Sequence, residues 1–353
     1  MDPKSLVKAK QNYSIQKKLL DPERWVSLDV FRDLFPDTFP RMMMPAPAKP
    51  GEPPKAGGPG GPGAMPDFAL IAEKAKILAK YIAGDKIDDA VMKKLFGFTN
   101  ADLEACLKAN DPVKKTLPEK MVLMTFDDST IDHYTVACPL LEKYGGKANL
   151  FTTEMIGGMF GRPGFADKTA FMTWEQIKEL SDRGHEIVNH SWHHSMEFQT
   201  GSDDYIREEI QGIEKRCAQY GIPKPTAFGA PGGGFTRHIE EILHEAGYLW
   251  GRGDLKGVHP ERLGEALYDP YVDTPMVVPN CNPTSIARLR EILDGTAGGK
   301  VALFVFHGVN DKMMMSMPFE DIVKGIYAYG GSCITFRQLA EYVDPLKAYA
   351  YTH

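Results

Sequence analysis

Two adjacent carboxylates follow an apolar run near the middle of the chain. Residues 121–124 are apolar, and Thr125 and Phe126 lead from them to Asp127 and Asp128. An ionised carboxylate is costly to bury unless a metal ion or a hydrogen-bond network compensates its charge. The pair therefore indicates a functional site at the end of a buried strand rather than a packing role.

A histidine-rich loop follows a second strand-like run, residues 185–189. It contains His190 and His194, and two histidines with one carboxylate make the three protein ligands of a catalytic zinc-type centre. We predict that Asp128, His190 and His194 are the ligands, which leaves Asp127 as the general base. The alternative is that Asp128 caps a helix and that the histidines are ordinary surface or core residues.

Further candidates for proton transfer follow later strands. His307 comes directly after the apolar run 301–306 and is the candidate general acid that protonates the leaving amine or alcohol. Asp254 is a candidate to orient His307 and raise its pKa, although helix capping or a surface salt bridge explains this residue nearly as well.

The segment 228–235 is rich in glycine but matches neither of the usual phosphate-binding patterns. Its backbone N–H groups could approach a substrate closely and form an oxyanion hole, and a purely structural turn is the alternative. Aromatic side chains that could stack on a sugar lie near the predicted site, although most aromatics in such folds are core residues. They are Trp174, Trp192, Trp250 and Phe235.

From about residue 121 onward, strand-like and helix-like segments alternate, which is typical of a parallel sheet covered by helices. The predicted strands are 121–126, 148–153, 185–189, 225–230, 248–251, 275–279 and 301–306. The predicted helices are 134–144, 173–183, 203–219, 236–247 and 285–294. The candidate residues follow five different strands, so a (β/α) barrel is favoured over a doubly wound sheet.

The N-terminal third has a different composition. Residues 45–66 are mostly proline and glycine and predict a linker between an extension, 1–44, and a helical accessory segment, 67–115. The catalytic domain is predicted at 116–345. The accessory region is expected to pack on this domain because it carries large apolar side chains, including Trp25, Phe31, Phe35, Leu70 and Ile77.

Composition excludes several classes of protein. A net charge of −6 over 353 residues, with dispersed basic residues, argues against nucleic-acid binding. The five cysteines form no CxxC pair and predict buried free thiols. No apolar run reaches the roughly 18 to 20 residues of a membrane span, and the N-terminus lacks a signal peptide pattern. We therefore expect a cytoplasmic protein, with a trimmed export signal as the alternative.

Taken in order, these motifs resemble the polysaccharide deacetylases, carbohydrate esterase family 4. The resemblance covers about residues 120–342 and rests on four segments. These are Phe126-Asp127-Asp128, Gly184-His185-Glu186-Ile187 with Asn189-His190-Ser191 and His194, the proline-glycine loop, and the strand that ends in His307. It implies a distorted (β/α) barrel that removes N- or O-acetyl groups from sugars with a divalent metal, zinc first and cobalt, nickel or manganese as alternatives.

Residue by residue, the resemblance implies the same base, ligands and acid, and it adds Gly232 as the backbone oxyanion donor. The chain departs from the family at two motifs. Gly229 stands where the family has an arginine that pairs with the catalytic aspartate, and the family's aspartate–tryptophan motif is represented only by residues 250–254. We predict that Arg252 supplies the missing charge beside Asp127, with a solvated surface arginine as the alternative.

Three functions agree with these patterns. The first is a metal-dependent deacetylase of an acetylated sugar, and the second is a hydrolase of small amides, cyclic imides or ureides on the same site. The third is a catalytically impaired carbohydrate-binding homologue, because the family arginine is missing. The expected partner is an acetylated sugar or small amide rather than nucleic acid or membrane, and the N-terminal region could join two subunits.

Overall fold

The computed structural model describes residues 73–74, 76–77, 80–81, 85–154, 168–234, 236–254, 267–270, 275, 278, 282–310 and 315–352. The predicted extension 1–44 and linker 45–66 lie outside the described residues. The chain divides into two compact units, Met1–Asp111 and Pro112–Tyr351, the last two residues aside.

In the first unit, two helices match the predicted accessory segments. Helix α1 (Asp89–Phe96) begins after Asp88, whose side chain accepts a hydrogen bond from the backbone of Ala90 at 2.8 Å. Helix α2 (Asn100–Asn110) begins with a capping box between Thr99 and Asp102. Such caps satisfy N–H groups that the first turn of a helix leaves free, so local sequence is sufficient to start both helices.

The second unit is built on one sheet. Within the described residues the sheet has eight strands: β1 (Met121–Asp127), β2 (Asn149–Thr152), β3 (Glu186–Asn189), β4 (Ala227–Gly234), β5 (Trp250–Asp254), β6 (Leu267–Tyr268), β7 (Val301–Phe306) and β8 (Ser332–Ile334). Their order is β5-β4-β3-β2-β1-β7-β6, and β8 also pairs with β1. Every pairing is parallel except that of β6 with β7. Six of the predicted strands are therefore present. Of the predicted strand 275–279 only residues 275 and 278 are described, and Val278 forms an isolated bridge to β5.

Helices follow most of the strands, as predicted. They are α3 (Cys138–Lys143), α4 (Trp174–Asp182), α5 (Asp203–Gln219), α6 (Arg237–Glu245), α7 (Ile286–Asp294), α8 (Phe319–Ala328), α9 (Phe336–Leu339) and α10 (Pro345–Thr352). A π-helical turn, His133–Ala137, precedes α3. The predicted domain end at 345 coincides with the start of α10, and this helix continues the unit.

Side-chain alternation along β1 separates two faces of the sheet. Val122, Met124 and Phe126 belong to the core between the sheet and helices, and Leu123 belongs to a second core on the opposite face. Because strand side chains alternate with a period of two, Asp127 lies on the same face as Leu123. This inner face is where the candidate site is assembled.

A contact across the sheet shows that it curls. Strands β5 and β1 are four positions apart, which is about 19 Å in a flat sheet with strands about 4.8 Å apart. Nevertheless, Arg252 on β5 bonds directly to Asp127 on β1, at 2.5 Å. A single side chain closes this gap only if the sheet bends around its inner face, so the predicted distorted (β/α) barrel is confirmed.

Asn149, the first residue of β2, joins three strands through its side chain. Its side-chain nitrogen donates to the carbonyls of Met124 and Ile334, both at 3.1 Å, and its oxygen accepts from Phe336 N at 3.0 Å. This allows β8 to pair with the first half of β1 while β2 pairs with the second half.

Three cysteines, Cys138, Cys217 and Cys333, are buried free thiols as predicted. Cys106 is only partly buried, and Cys281 lies outside the described residues. No helix in the described part of the chain combines the length and the apolar character that crossing a membrane requires.

Candidate metal centre and active site

Strained backbone presents the candidate ligands. Asp128, Ser129, Ser191 and His194 have φ angles of 70°, 55°, 65° and 52°, a left-handed region that non-glycine residues rarely adopt. Side chains hold the second turn in place, since Asn189 Oδ1 accepts from Ser191 N at 2.9 Å and Ser191 Oγ accepts from His194 N at 3.1 Å. Such strain persists only where surrounding contacts impose it, and it clusters at functional sites.

The three predicted ligands converge. Asp128 Oδ1 lies 3.2 Å from His194 Nε2 and 3.7 Å from His190 Nε2, and the two histidine nitrogens are 3.1 Å apart. Ligand atoms about 2.0–2.2 Å from one tetrahedral zinc ion are about 3.4 Å from each other. The spacing of these three atoms therefore fits one small divalent cation.

The protonation of His190 also fits a metal ligand. Its Nδ1 donates to the carbonyl of Gly229 at 2.7 Å, which leaves Nε2 without a proton in the neutral ring. Burial lowers the pKa of His190 to about 3, so the ring is neutral at physiological pH. Asp128 Oδ1 is buried and has no hydrogen-bond partner among the described residues. Lone pairs thus face each other at this point, and a bound cation would satisfy them.

Asp127 is paired with an arginine. Nη1 and Nη2 of Arg252 donate to the two carboxylate oxygens of Asp127 at 2.5 and 2.7 Å, and both side chains are 4% exposed. Burial raises the pKa of Asp127, but the charge and hydrogen bonds of Arg252, together with the nearby His190 and His307, outweigh burial and hold that pKa well below its ordinary value. The contact expected between Arg252 and Asp127 is therefore present.

Gly229 makes room for this arginine. It is the register partner of Arg252 on the neighbouring strand. A Cβ atom at Gly229 would lie 2.2 Å from Phe151 Cδ1 and 3.1 Å from Arg252 Nη2. The guanidinium lies over the Phe151 ring, 4.2 Å from its centroid. The residue that breaks the family motif is thus the one that lets Arg252 reach Asp127.

His307 is placed at the solvent side of the same cluster. Its Nε2 lies 4.0 Å from Asp127 Oδ2 and 3.9 Å from Asp128 Oδ2. The side chain is 46% exposed, whereas those of the two histidine ligands are 2% and 6% exposed. A histidine in this position can reach both a bound substrate and solvent, as a proton donor must.

The glycine loop packs against the turn after His194. Gln199 Nε2 donates to the Pro231 carbonyl at 2.9 Å. Gly232 has a φ of +66°, and a Cβ atom there would lie 2.5 Å from Met196 Sδ. Met196 itself is 52% exposed. Gly232 is therefore favoured by its backbone conformation, whereas the exposed end of Met196 could move aside for a larger residue.

The aromatic prediction for Trp250 is wrong. Trp250 is 1% exposed and packs against Tyr268 and Phe336 in the core, so it has no free face for a sugar. Trp192 is half-buried and packs on α5, where a Cβ atom on Gly212 would meet its ring and where Arg216 lies 5.4 Å from its centroid, and its stacking role stays a prediction. Phe235 and the side chain of Asp254 lie outside the described residues.

Glu209 was not among the predicted residues. Its carboxylate is 2% exposed and accepts hydrogen bonds from His193 N at 2.9 Å and His193 Nδ1 at 2.5 Å. It thereby supports the loop between the two histidine ligands and turns His193 away from the cluster. The available signal was a carboxylate on the apolar face of α5, between Ile206 and Ile213.

Known proteins are similar to part of this chain. The chain is similar to YxkH of Bacillus subtilis (strain 168), with 31% identity over 133 residues that cover 38% of this chain and 44% of that protein. It is 25% identical over 181 residues to the poly-beta-1,6-N-acetyl-D-glucosamine N-deacetylase of Escherichia coli (strain K12), covering 44% of this chain and 25% of the relative. The chain thus spans less than half the length of both curated relatives.

Among solved structures, the chain is similar to the Xyl-CE4 domain of a multidomain xylanase from the hindgut metagenome of Trinervitermes trinervoides. The identity is 18% with a TM-score of 0.42, over 64% of this chain and 91% of that one. Residues 114–250 match the family model described as polysaccharide deacetylase. This segment contains Asp127 and all three candidate ligands, so the match to the polysaccharide deacetylase family covers most of the candidate site.

Proposed function

We propose that the protein is a metal-dependent hydrolase that removes N- or O-acetyl groups from a carbohydrate. One observation carries the proposal: three ligand atoms from Asp128, His190 and His194 converge beside a carboxylate, Asp127, that is held ionised by an arginine. A purely structural cluster would not require lone pairs that face each other at the carboxyl ends of the strands.

Asp128, His190 and His194 would hold the metal. Two imidazole nitrogens and one carboxylate oxygen favour zinc, with cobalt, nickel and manganese as alternatives. A divalent ion bound there would polarise the acyl carbonyl and make the attacking water more acidic.

The side chains around this centre divide the remaining chemistry. Asp127 stays ionised because Arg252 opposes the effect of burial, so it can accept a proton from the attacking water. His307 delivers a proton to the leaving nitrogen or oxygen as the bond to the acyl carbon breaks. The N–H of Gly232 is the proposed donor to the oxygen that gains charge in the transition state.

The hypothesis of a catalytically impaired homologue was motivated by the missing family arginine. Arg252 provides a positive charge beside Asp127, which weakens that motivation. Hydrolysis of small amides, cyclic imides or ureides stays open as an alternative, since the same groups would serve it. The substrate class is therefore the finer part of the proposal, and a substrate screen decides it.

Metal analysis and product release test the proposal together. We expect about one divalent ion per chain and acetate release from chitooligosaccharides, acetylated xylan or peptidoglycan fragments. Turnover of cyclic imides without acetate release would favour the second hypothesis. Full activity after exhaustive chelation, with no metal left by elemental analysis, would contradict metal dependence. Metal-dependent sugar binding without any product would instead indicate a binding protein.

A further inference from the structure

The turn that follows the two aspartates contacts the backbone that carries His307. Nε2 of His133 hydrogen-bonds the carbonyl oxygen of His307, and Thr130 Oγ1 donates to the same oxygen over a longer distance of 3.4 Å. Asp132 Oδ2 accepts from the backbone N–H groups of Val309 and Asn310 at 2.7 and 3.0 Å. The loop after β7 is therefore bonded at the carbonyl of His307 and at the two N–H groups of residues 309 and 310 to residues that closely follow Asp127 and Asp128 in the chain. We call Thr130, Asp132 and His133 the β1 clamp.

The protonation of His133 follows from its partners. A carbonyl oxygen only accepts hydrogen bonds, so Nε2 must carry the proton. Nδ1 is buried and has no partner in the described part of the chain, so a proton there would be buried without an acceptor. The ring is 0% exposed and packs against Phe126, with centroids 5.3 Å apart. His133 is thus a neutral imidazole whose one N–H is committed to the His307 backbone.

Thr130 completes the clamp. Its hydroxyl lies 2.6 Å from Asp132 Oδ1 and 2.8 Å from His133 Nε2. It thereby fixes the two clamp residues relative to each other, and Asp132 keeps its second oxygen for the loop. All three residues come directly after β1, so they move with the turn that carries Asp127 and Asp128.

The imidazole of His307 depends on this support. It forms no hydrogen bond with any residue that the structure describes, and its approaches to Asp127 and Asp128 are 4.0 and 3.9 Å. Nearly half of the side chain is exposed. Its position relative to the two carboxylates is consequently set through its backbone rather than through its ring. Misplacement of a reacting group by about 1 Å can cost about 100-fold in rate.

We infer that His133 and Asp132 are positioning residues for His307. Through hydrogen bonds to the backbone of the loop after β7, they fix the position of the proton donor relative to the base and the candidate metal ligands. The acid role of His307 rests on the proposed function, whereas the clamp itself is a structural claim about residues 307–310. The two claims therefore need separate measurements.

Backbone hydrogen exchange tests the clamp without any substrate. His133→Phe keeps an aromatic ring beside Phe126 but removes the N–H donor, and Asp132→Ala removes the acceptor for Val309 and Asn310. In the full-length protein, we expect exchange in peptides that cover 307–310 to accelerate about tenfold or more in both variants. His133→Gln, whose amide can still donate to the carbonyl, should stay close to the unchanged protein. Unchanged exchange at 307–310 in both His133→Phe and Asp132→Ala would overturn the clamp.

Leaving-group dependence tests the effect on His307. Nitrophenolate leaves 4-nitrophenyl acetate without needing a proton, whereas the amine of an N-acetylglucosamine oligomer must be protonated. We expect His133→Phe to lower kcat on the oligomer by about 10- to 100-fold, with aryl ester hydrolysis and metal content nearly unchanged. His133→Gln should recover most of the loss.

His185→Phe is the matched control, because His185 is also a buried histidine but lies at the opposite end of the sheet. It should reduce stability without changing the ratio of the two rates. Equal losses on both substrates in His133→Phe would contradict a positioning role. Absence of acetate release from either substrate by the unchanged protein would refute the proposed function, and the exchange measurements would still decide the clamp.

Discussion

At the scale of single residues, the candidate site depends on Arg252, an arginine on β5. Gly229 on β4 and Arg252 on β5 are register partners, and the smaller residue leaves space for the larger one to reach Asp127. A buried carboxylate without a counter-charge would be partly protonated at neutral pH. The ion pair with Arg252 keeps Asp127 ionised. Arg252 lies on β5, whereas the family motif places its arginine at the position of Gly229 on β4.

Removal of this charge should move the pH dependence of catalysis. Arg252 lowers the pKa of Asp127, so Arg252→Ala should raise that pKa and shift the acidic limb of the rate profile to higher pH. We also expect a loss of about 10- to 100-fold at neutral pH, because Arg252 orients the base as well. Arg252→Lys keeps the charge but not the two-pronged contact, and it should shift the limb less. An acidic limb that stays in place in Arg252→Ala would show that Arg252 does not control the base.

Substitutions of the base and of a candidate metal ligand should have different effects on metal binding and on rate. Asp127→Asn should retain stoichiometric metal and lose about 10²- to 10⁴-fold in rate, the usual contribution of a general base. His190→Ala should lose metal and activity together, because two ligands hold a hydrolytic metal poorly. His238→Ala, at an exposed histidine paired with Asp203, is the control and should change neither. If Asp127→Asn loses its metal and keeps its rate, the two aspartates have been assigned in the wrong order.

At the scale of secondary-structure elements, a charged cluster joins α3 to the loop before β3. Glu142 accepts hydrogen bonds from Arg183 Nε and His185 Nε2, both at 3.0 Å. The hydrogen bond from Arg183 is the main reason why the pKa of Glu142 falls from 4.5 to about 2. Burial lowers the pKa of His185, and the hydrogen bond and charge of Glu142 offset this lowering only in part.

This cluster should make the free energy of unfolding depend on pH. A lowered pKa in the folded state means that Glu142 contributes stability above its unfolded pKa of about 4.3, and that this contribution is lost as pH falls toward 2. Glu142→Gln should therefore reduce the free energy of unfolding more at pH 7 than at pH 3, as measured by urea denaturation. Glu341→Gln removes an exposed carboxylate beside Lys115 and should have little effect at either pH. A difference that grows on acidification would contradict this account.

At the scale of the whole molecule, every described candidate residue belongs to the unit Pro112–Tyr351. The sequence predicts that the accessory region packs on the catalytic domain, since several of its large apolar side chains would otherwise face water. Deletion of residues 1–115 should consequently cause aggregation or alter the range of substrates, as measured by light scattering and by the acetate-release screen. A truncated protein that stays monomeric, with unchanged stability and kinetics, would show that this region is dispensable.

The elements, and the convergence of the candidate ligands, were predictable because both depend on local patterns. Period-two and helical spacing predicted the strands from β1 to β7 except the short β6, and polar residues at strand ends identified Asp128, His190 and His194. The prediction that Trp250 stacks on a sugar was wrong for a related reason. Its position at a strand end suggested the site, but the side of the sheet on which its ring packs depends on Tyr268 and Phe336, which are distant in the chain.

The sequence by itself determined the order of most strands and helices along the chain and the motifs that hold the candidate ligands, because each element and each motif follows from residues within a few positions of one another. Only the tertiary structure decided how these parts face one another. The curl of the sheet brings Arg252 to Asp127 across 125 positions, and the pairing of β1 with β7 brings His133 to the carbonyl of His307 across 174. Contacts of this kind depend on how strands bend and pack together, and no local pattern of side chains specifies that geometry.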